Sequence, residues 1–236
     1  MSRPAETARP PAGEAELPRF SRAVRWVHGV TAALVLVCVA SAAVLYNGSL
    51  LMLVGHRPVV ELVHVWCGFA LPVPLVAGLV ARTYRADLRR LDRFTGHDWR
   101  WLRSRTRRDG RIPVGKFNAG QKLNGALSGG AIAVLLLTGS VMTATGLAPL
   151  GWRTGATLVH DWSALAFGLL VVGHLRFALR DPVSMRSLRT GTVPLTWARR
   201  EHGAWADEVA GPPPGAQPGS RAQATPPPAA RPTASR

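Results

Sequence analysis

Four long apolar runs, separated by polar segments, dominate this chain of 236 residues. Each run has about 20 residues or more, which is the length that an α-helix needs to cross the hydrocarbon core of a bilayer. They predict membrane-spanning helices at residues 24–46, 59–81, 123–147 and 157–180. The predicted fold class is therefore all-α, an integral membrane four-helix bundle.

The segments outside the spans differ in composition. Residues 1–18 are rich in Pro, Ala and Glu, and residues 209–236 are rich in Pro and Ala, so we predict disordered tails there. The domain between them covers residues 19–208 and ends in a polar extension at 181–208. In the second connection, leucine and tryptophan among the charges of residues 86–104 indicate one amphipathic helix on the membrane surface.

Proline is predicted to distort the second span. Pro72 and Pro74 lie in the middle of this run. Because proline has no backbone N–H and cannot complete the helical hydrogen-bond ladder, we expect a kink there.

Basic residues are distributed unevenly among the connections. The net charge of +16 would suit a nucleic-acid partner, but the arginines cluster beside the spans. They crowd the N-terminal segment, the second connection and the C-terminal segment, whereas the first and third connections hold one each, Arg57 and Arg153. The positive-inside rule explains this pattern, so we predict a multi-pass cell-membrane protein with both termini cytoplasmic and no nucleic-acid partner.

Four histidines lie within the spans at two depths. His160 and His174 are 14 residues apart, close to four helical turns, so both lie on one face about 21 Å apart. The predicted topology places His64 at the outer depth of His160 and His28 at the inner depth of His174. Haem iron takes two axial ligands, and imidazole suits it. We therefore predict two haem b groups, an outer one held by His64 and His160 and an inner one held by His28 and His174.

Other interpretations of these histidines remain open. Histidine also forms hydrogen bonds between membrane helices, so a non-haem scaffold or transporter is an alternative. Zinc and di-iron sites usually need three or four clustered ligands, often with carboxylates, and the two layers are too far apart for that. We assign the nearby acids Glu61 and Asp161 to the outer rim.

The remaining histidines and the cysteines give weaker signals. His56, His97 and His202 are predicted to be solvated surface residues, and Cys38 and Cys67 to be small buried apolar side chains. The chain has no C-x-x-C-H motif for covalent haem and no cysteine cluster for an iron–sulfur centre.

The segment GKFNAGQK, residues 115–122, lies at the start of the third span and matches the depth of the inner histidines. Asn118 and Gln121 offer amide donors and acceptors, and Gly120 permits close backbone approach. A quinone that takes two electrons also takes two protons, so we predict a quinone site facing the cytoplasm. The alternative is an interfacial turn with a helix cap.

These motifs resemble the gamma subunit, a di-haem cytochrome b, of respiratory formate dehydrogenases. The resemblance covers roughly residues 19–208 and rests on RWVH at 25–28, GKFNAGQK at 115–122, the two histidines of the fourth span and the segment 184–205. It implies the haem pairing given above. It also implies that Asn118, Gly120 and Gln121 line a menaquinone site beside the inner haem.

The resemblance further implies a place in a complex. In that family a molybdenum- or tungsten-pterin subunit oxidises formate, and an iron–sulfur subunit relays electrons to the outer haem. The expected function is electron transfer through two haems to menaquinone or another quinone, without a formate site in this chain. Related cytochromes b serve hydrogenases and other molybdoenzymes, including quinol-oxidising reductases, so the partner's substrate and the direction of electron flow stay open.

Overall fold

The computed structural model describes residues 14–106 and 111–213. Most of the two predicted tails, residues 1–13 and 214–236, lies outside these ranges. Residues 107–110 of the second connection also lie outside them. The described elements, in chain order, are β1 (Glu16–Pro18), α1 (Arg22–Tyr46), α2 (Gly48–Val54), α3 (Arg57–Ala70), α4 (Pro72–Gly78), α5 (Arg82–Asp92), α6 (Gly96–Arg103), α7 (Ala119–Thr143), α8 (Leu150–Leu179), α9 (Pro182–Thr190), β2 (Thr192–Pro194), α10 (Leu195–Glu201) and α11 (Gly203–Ala210).

Four units are long and apolar enough to cross a membrane: α1, α3 with α4, α7 and α8. They confirm the predicted all-α bundle of four spans, because each described strand has three residues. The largest boundary error is in the fourth span, where α8 begins at Leu150 and not at 157. Its N-cap is Pro149, so most of the predicted third connection is the first two turns of this helix. The predicted first connection contains the short helix α2.

The predicted irregularity of the second span is confirmed as a break between α3 and α4. Leu71 separates the two helices, and its amide bonds the carbonyl oxygen of Gly68 at 3.2 Å in a tighter turn. The break arises because Pro72 and Pro74 cannot donate to the carbonyls of the preceding turn.

An apolar layer closes the middle of the bundle. It consists of Val35 from α1, Leu71 from the break, Ile132 from α7 and Phe167 from α8, all buried. Around it α1 packs against α3 and α4, and α7 packs against α8. We call these four side chains the central apolar layer. Phe167 lies seven residues from each histidine of α8, so the layer lies midway between their two depths.

The prediction of one amphipathic helix in the second connection is wrong, since two helices occupy it. Helix α5 ends at Asp92 and α6 begins at Gly96. Thr95 separates them because its side chain accepts from the backbone N–H of Asp98, whose carboxylate accepts from the backbone N–H of Thr95. This capping box fixes a new helix start.

The prediction of a disordered N-terminal tail is wrong for its last residues. Glu16–Pro18 form strand β1, which pairs antiparallel with β2 so that Leu17 lies opposite Val193. Helix α11 also extends to Ala210, past the predicted start of the C-terminal tail at residue 209. Residues 14–20 and 182–213 together form a folded unit that we call the terminal cap. Its core members are Leu17, Val193, Trp197, Ala198, Trp205 and Ala206.

A glycine joins the terminal cap to α1. Gly191 ends α9 with φ of +88°, and its carbonyl oxygen accepts hydrogen bonds from the amides of Arg19 and Phe20. A Cβ at this position would lie 2.8 Å from the carbonyl oxygen of Phe20. The positive φ and this close approach together require glycine.

Candidate functional site

The structure brings the four span histidines together in the two predicted pairs. The ring centres of His64 and His160 lie 6.3 Å apart with an interplanar angle of 70°. Those of His28 and His174 lie 6.4 Å apart with an angle of 49°. Helix α8 supplies one member of each pair, while α3 and α1 supply the others.

These separations suit one metal between each pair of rings. An imidazole nitrogen binds a first-row metal at about 2.0 Å and lies about 1.2 Å from its own ring centre, so two imidazoles on opposite sides of one metal would have ring centres about 6.4 Å apart. Both observed pairs match this value. Within the described residues no group of three or more His, Cys, Asp or Glu side chains gathers as a metal site. The available donor set is therefore two imidazoles per layer, which is the axial set of a b-type haem.

Hydroxyl groups orient both histidines of the outer pair. The Nδ1 atom of His64 lies 2.9 Å from Oγ of Ser41 on α1, and Nδ1 of His160 lies 2.9 Å from Oγ1 of Thr138 on α7. A histidine that binds a metal through one ring nitrogen usually donates from the other to a partner of this kind. The contacts therefore suit histidines that bind through Nε2.

A cavity of about 750 Å³ adjoins the outer pair, and both histidines line it. Its remaining walls are mostly Val, Leu, Ala and Phe side chains from α1, α3, α7 and α8. Gly68, Gly139 and Gly168 contribute bare backbone on three of these helices. This volume lies within the usual range for cofactor pockets. An apolar cavity of this size, lined by both imidazoles, fits a porphyrin ring.

The inner pair has a different polar environment. Thr31 follows His28 by three residues on α1, and its Oγ1 atom is buried without a hydrogen-bond partner among the described residues. Buried hydroxyls are normally satisfied, so an orphaned one points to a missing polar partner. A polar edge of a bound group at this depth would satisfy it.

The amide oxygens of Asn118 and Gln121 are used within the helix cap of α7. The Asn118 side chain accepts from the Gln121 amide at 2.9 Å, and the Gln121 side chain accepts from the Asn118 amide at 3.0 Å. Gly120 lies against the indole of Trp101, since a Cβ there would be 3.4 Å from two ring atoms. The helix-cap alternative therefore describes the geometry of this segment. The terminal NH₂ groups of both amides are not part of the cap.

Two lysine–aspartate pairs flank this cap. Lys116 bonds both carboxylate oxygens of Asp87 at 2.5 and 2.7 Å, and Lys122 bonds Asp98 at 2.7 Å. Burial lowers the pKa of Lys116, although the Asp87 carboxylate opposes this effect. Burial by itself would raise the pKa of Asp98, but hydrogen bonds from Lys122 and Thr95 outweigh it and the pKa is lowered. The pairs anchor α5 and α6 to the GKFNAGQK segment.

The prediction that His202 is a solvated surface residue is wrong. It is buried at 2% exposure, with Nδ1 2.7 Å from the carbonyl oxygen of Gly115 and Nε2 3.2 Å from a guanidinium nitrogen of Arg19. Arg19 is equally buried and lies over the ring of Trp197 at 4.7 Å. Burial, followed by the Arg19 charge, lowers the pKa of His202 to about 4. The histidine is thus a neutral connector between the terminal cap and the GKFNAGQK segment.

The other histidines, acids and cysteines that the sequence singled out belong to neither histidine pair. His56 and His97 are exposed, as predicted. Glu61 is exposed and pairs with Arg57 at 2.9 Å, while Asp161 is half-buried at the cavity wall. Cys38 and Cys67 are half-buried free thiols.

Sequence reasoning missed Ser41 and Thr138. The signal was present, because each is a polar residue inside an apolar run at the depth of the outer histidines. Such hydroxyls were not distinguishable by sequence from the many Ser and Thr side chains that bond only their own helix, as Ser140 does with the Leu136 carbonyl.

A four-span helical bundle that pairs histidines at two depths is typical of a membrane cytochrome b. The sequence profile of the prokaryotic cytochrome b561 family matches residues 19–190. The chain therefore belongs to the prokaryotic cytochrome b561 family. It is accordingly a multi-pass cell-membrane protein that binds haem b and transfers electrons. No curated protein matched the sequence. Family membership argues against the alternative of a non-haem scaffold.

Proposed function

We propose that this chain is the di-haem membrane subunit of a quinone-linked respiratory formate dehydrogenase. It takes electrons from an iron–sulfur subunit, which in turn serves a molybdenum- or tungsten-pterin catalytic subunit, and delivers them to menaquinone or another quinone. The observation that carries the di-haem part of the proposal is the pair of imidazole separations, 6.3 and 6.4 Å, at two depths of one bundle.

The chain's residues have separate tasks in this proposal. His64 and His160 hold the outer haem iron, and His28 and His174 hold the inner one. Haem b supplies one-electron iron chemistry when it is bound. The rigid helix α8 fixes the spacing of the two sites, because it carries one ligand of each. The central apolar layer separates the two sites with buried apolar side chains.

The orientation follows from charge. The terminal cap, α5 and α6 lie on the side where the arginines cluster, and the positive-inside rule makes that side cytoplasmic. The inner pair and the start of α7 then face the cytoplasm. Protons for quinone reduction are available there, and the NH₂ groups of Asn118 and Gln121 are the donors that this segment can offer to a quinone carbonyl. Gly120, which packs against Trp101, lies between these two residues in the proposed quinone site.

The formate assignment rests on the two most specific motifs, GKFNAGQK and the segment 184–205. They contact each other in the structure, since His202 bonds Gly115 and the amide of Ala204 donates to the carbonyl oxygen of Val114 at 3.1 Å. They form one unit at the proposed quinone side. The alternative is the cytochrome b subunit of a hydrogenase or another molybdoenzyme, including a quinol-oxidising reductase, since related cytochromes b serve these enzymes.

The ligand assignment is tested by haem content. The purified protein should show a reduced-minus-oxidised b-type spectrum with two haems per chain. His160→Ala should remove one haem and His174→Ala the other, whereas His56→Ala, at an exposed position, should keep both. Full haem content in both span variants would refute the assignment.

The partner is tested by purification in mild detergent followed by identification of the accompanying chains. Formate dehydrogenase subunits and formate-dependent quinone reduction are the expected result. Hydrogenase or reductase subunits, with haem reduction by hydrogen or by a quinol, would instead establish the alternative.

A further inference from the structure

The outer histidine pair has a matched hydroxyl at each Nδ1 atom. Ser41 approaches His64 from α1, and Thr138 approaches His160 from α7, both at 2.9 Å. Neither hydroxyl lies on the helix of the histidine that it contacts. Helix α7 carries no histidine, and Thr138 is the α7 residue that bonds a histidine of this pair.

The direction of each hydrogen bond follows from the other contact of the hydroxyl. Oγ of Ser41 lies 2.7 Å from the carbonyl oxygen of Val37, and Oγ1 of Thr138 lies 2.8 Å from that of Val134. Two oxygens at this distance require a proton between them, and a carbonyl has none to give. Each hydroxyl therefore donates to its own helix. Its lone pair faces the imidazole, and the Nδ1–H group must be the donor.

This assignment fixes the tautomer of both rings. With the proton on Nδ1, the lone pair of Nε2 is free on the opposite side of each ring. It also makes each imidazole a stronger electron donor, because a hydrogen bond from the second nitrogen raises the basicity of the first. A more basic axial ligand favours ferric iron over ferrous iron and so lowers the reduction potential.

We infer that Ser41 and Thr138 are positioning residues that orient His64 and His160 for the outer haem and hold its reduction potential below the value it would otherwise have. This inference rests on the proposed function for the location of the outer haem. Neither residue is a proposed iron ligand, and each acts through the histidine that it contacts.

The inner pair provides an internal reference. Among residues 14–106 and 111–213, hydrogen bonds between a Ser or Thr hydroxyl and a span histidine occur at His64 and His160. Changes at Ser41 or Thr138 should therefore alter one of two haem potentials within the same molecule.

The test is a redox titration of Ser41→Ala, Thr138→Val and the double variant, each purified with its haem. Ser41→Thr and Thr138→Ser keep a hydroxyl at the same position. Ser140→Ala is the matched control, because its hydroxyl bonds the Leu136 carbonyl on the same helix and no histidine. We expect the double variant to shift the ferric–ferrous equilibrium of one haem about tenfold towards ferrous iron, which raises its potential by about 59 mV, with the other haem unchanged.

The outcomes separate this inference from the proposed function. Two bound haems with unchanged potentials in the double variant would overturn the inference and leave the ligand assignment intact. Loss of one haem in Ser41→Ala and Thr138→Val, with full content in the hydroxyl-retaining variants, would support positioning. Equal haem loss in the hydroxyl-removing and the hydroxyl-retaining variants would overturn the inference and assign Ser41 and Thr138 to packing alone. Retention of two haems in His64→Ala and His160→Ala would instead contradict the proposed function.

Discussion

The imidazole of His202 and the backbone of Gly115 are joined by a 2.7 Å contact between Nδ1 and the carbonyl oxygen. The two residues are 87 positions apart and belong to the terminal cap and the GKFNAGQK segment. Since Nδ1 donates, Nε2 is left to accept from Arg19. The contact therefore requires a neutral ring, and a proton added to Nε2 would face a buried cation.

This arrangement makes the stability of the cap depend on pH. The pKa of His202 is about 4 in the folded chain against 6.5 in the unfolded chain, so the unfolded state binds more protons between these values. The contribution of neutral His202 to the free energy of unfolding is therefore complete above pH 6.5 and is lost as the pH falls towards 4. This contribution is about 3 kcal/mol. Unfolding followed by tryptophan fluorescence should show this loss, because Trp197 and Trp205 lie against the ring.

The control for this prediction is His202→Asn, which keeps a donor near the position of Nδ1 but does not titrate. Its stability should be nearly constant from pH 6.5 to 4.5. Below pH 4 both proteins should lose stability together, as carboxylates with lowered pKa values such as Asp98 become protonated. An equal loss above pH 4.5 in His202→Asn would show that His202 is not the responsible group.

The sequence predicted the spans and the histidine pairs because both follow from local periodicity. Helical rise fixes the depth of His160 and His174, and loop charge fixes which side each histidine approaches. The terminal cap was not predictable in this way. Leu17 meets Val193 only after the chain has crossed the membrane four times, and a short segment of Ala, Glu and Pro has no local signal for a strand. His202 was misassigned for the same reason, since its burial comes from distant partners.

Phe167 is predicted to stabilise the bundle from its midpoint. It is 7% exposed, and Phe167→Ala would open a cavity of roughly 100 Å³ in the central apolar layer. Lipid tails are as apolar as this layer, so the transfer contribution largely cancels and the cavity contribution of about 2 kcal/mol remains. Thermal release of haem in detergent should occur at a lower temperature. Phe177→Ala, on the same helix and 70% exposed, is the control and should change stability little.

Removing one partner of the ion pair between Lys116 and Asp87 is predicted to destabilise the protein strongly, whereas replacing both partners with apolar residues should change its stability little. Both side chains are largely buried, at 13% and 9% exposure. Lys116→Met leaves an unpaired buried carboxylate, which should destabilise the protein by about 3–5 kcal/mol. The double variant Lys116→Met/Asp87→Leu should recover most of this loss, because no buried charge remains. A double variant as unstable as Lys116→Met would mean that the pair contributes through specific geometry and not through charge compensation.

The last prediction separates the two roles of Gln121, as a helix cap and as a quinone donor. Gln121→Ala removes the oxygen that closes the capping box together with the NH₂ group, so it confounds the roles. Gln121→Glu keeps the capping oxygen, since glutamate serves equally at this position of the box, but replaces the NH₂ donor with a negatively charged oxygen. We expect Gln121→Glu to retain both haems, their reduction by the partner and the stability of α7. Its rate of quinone reduction should fall about tenfold or more, since a lost hydrogen-bond donor and an added negative charge both disfavour a quinone carbonyl.

Asn118→Asp tests the other half of the box in the same way, because aspartate is also a good N-cap. Unchanged quinone turnover in both variants, with haem reduction intact, would assign this segment to helix capping alone and place the quinone elsewhere along the inner layer.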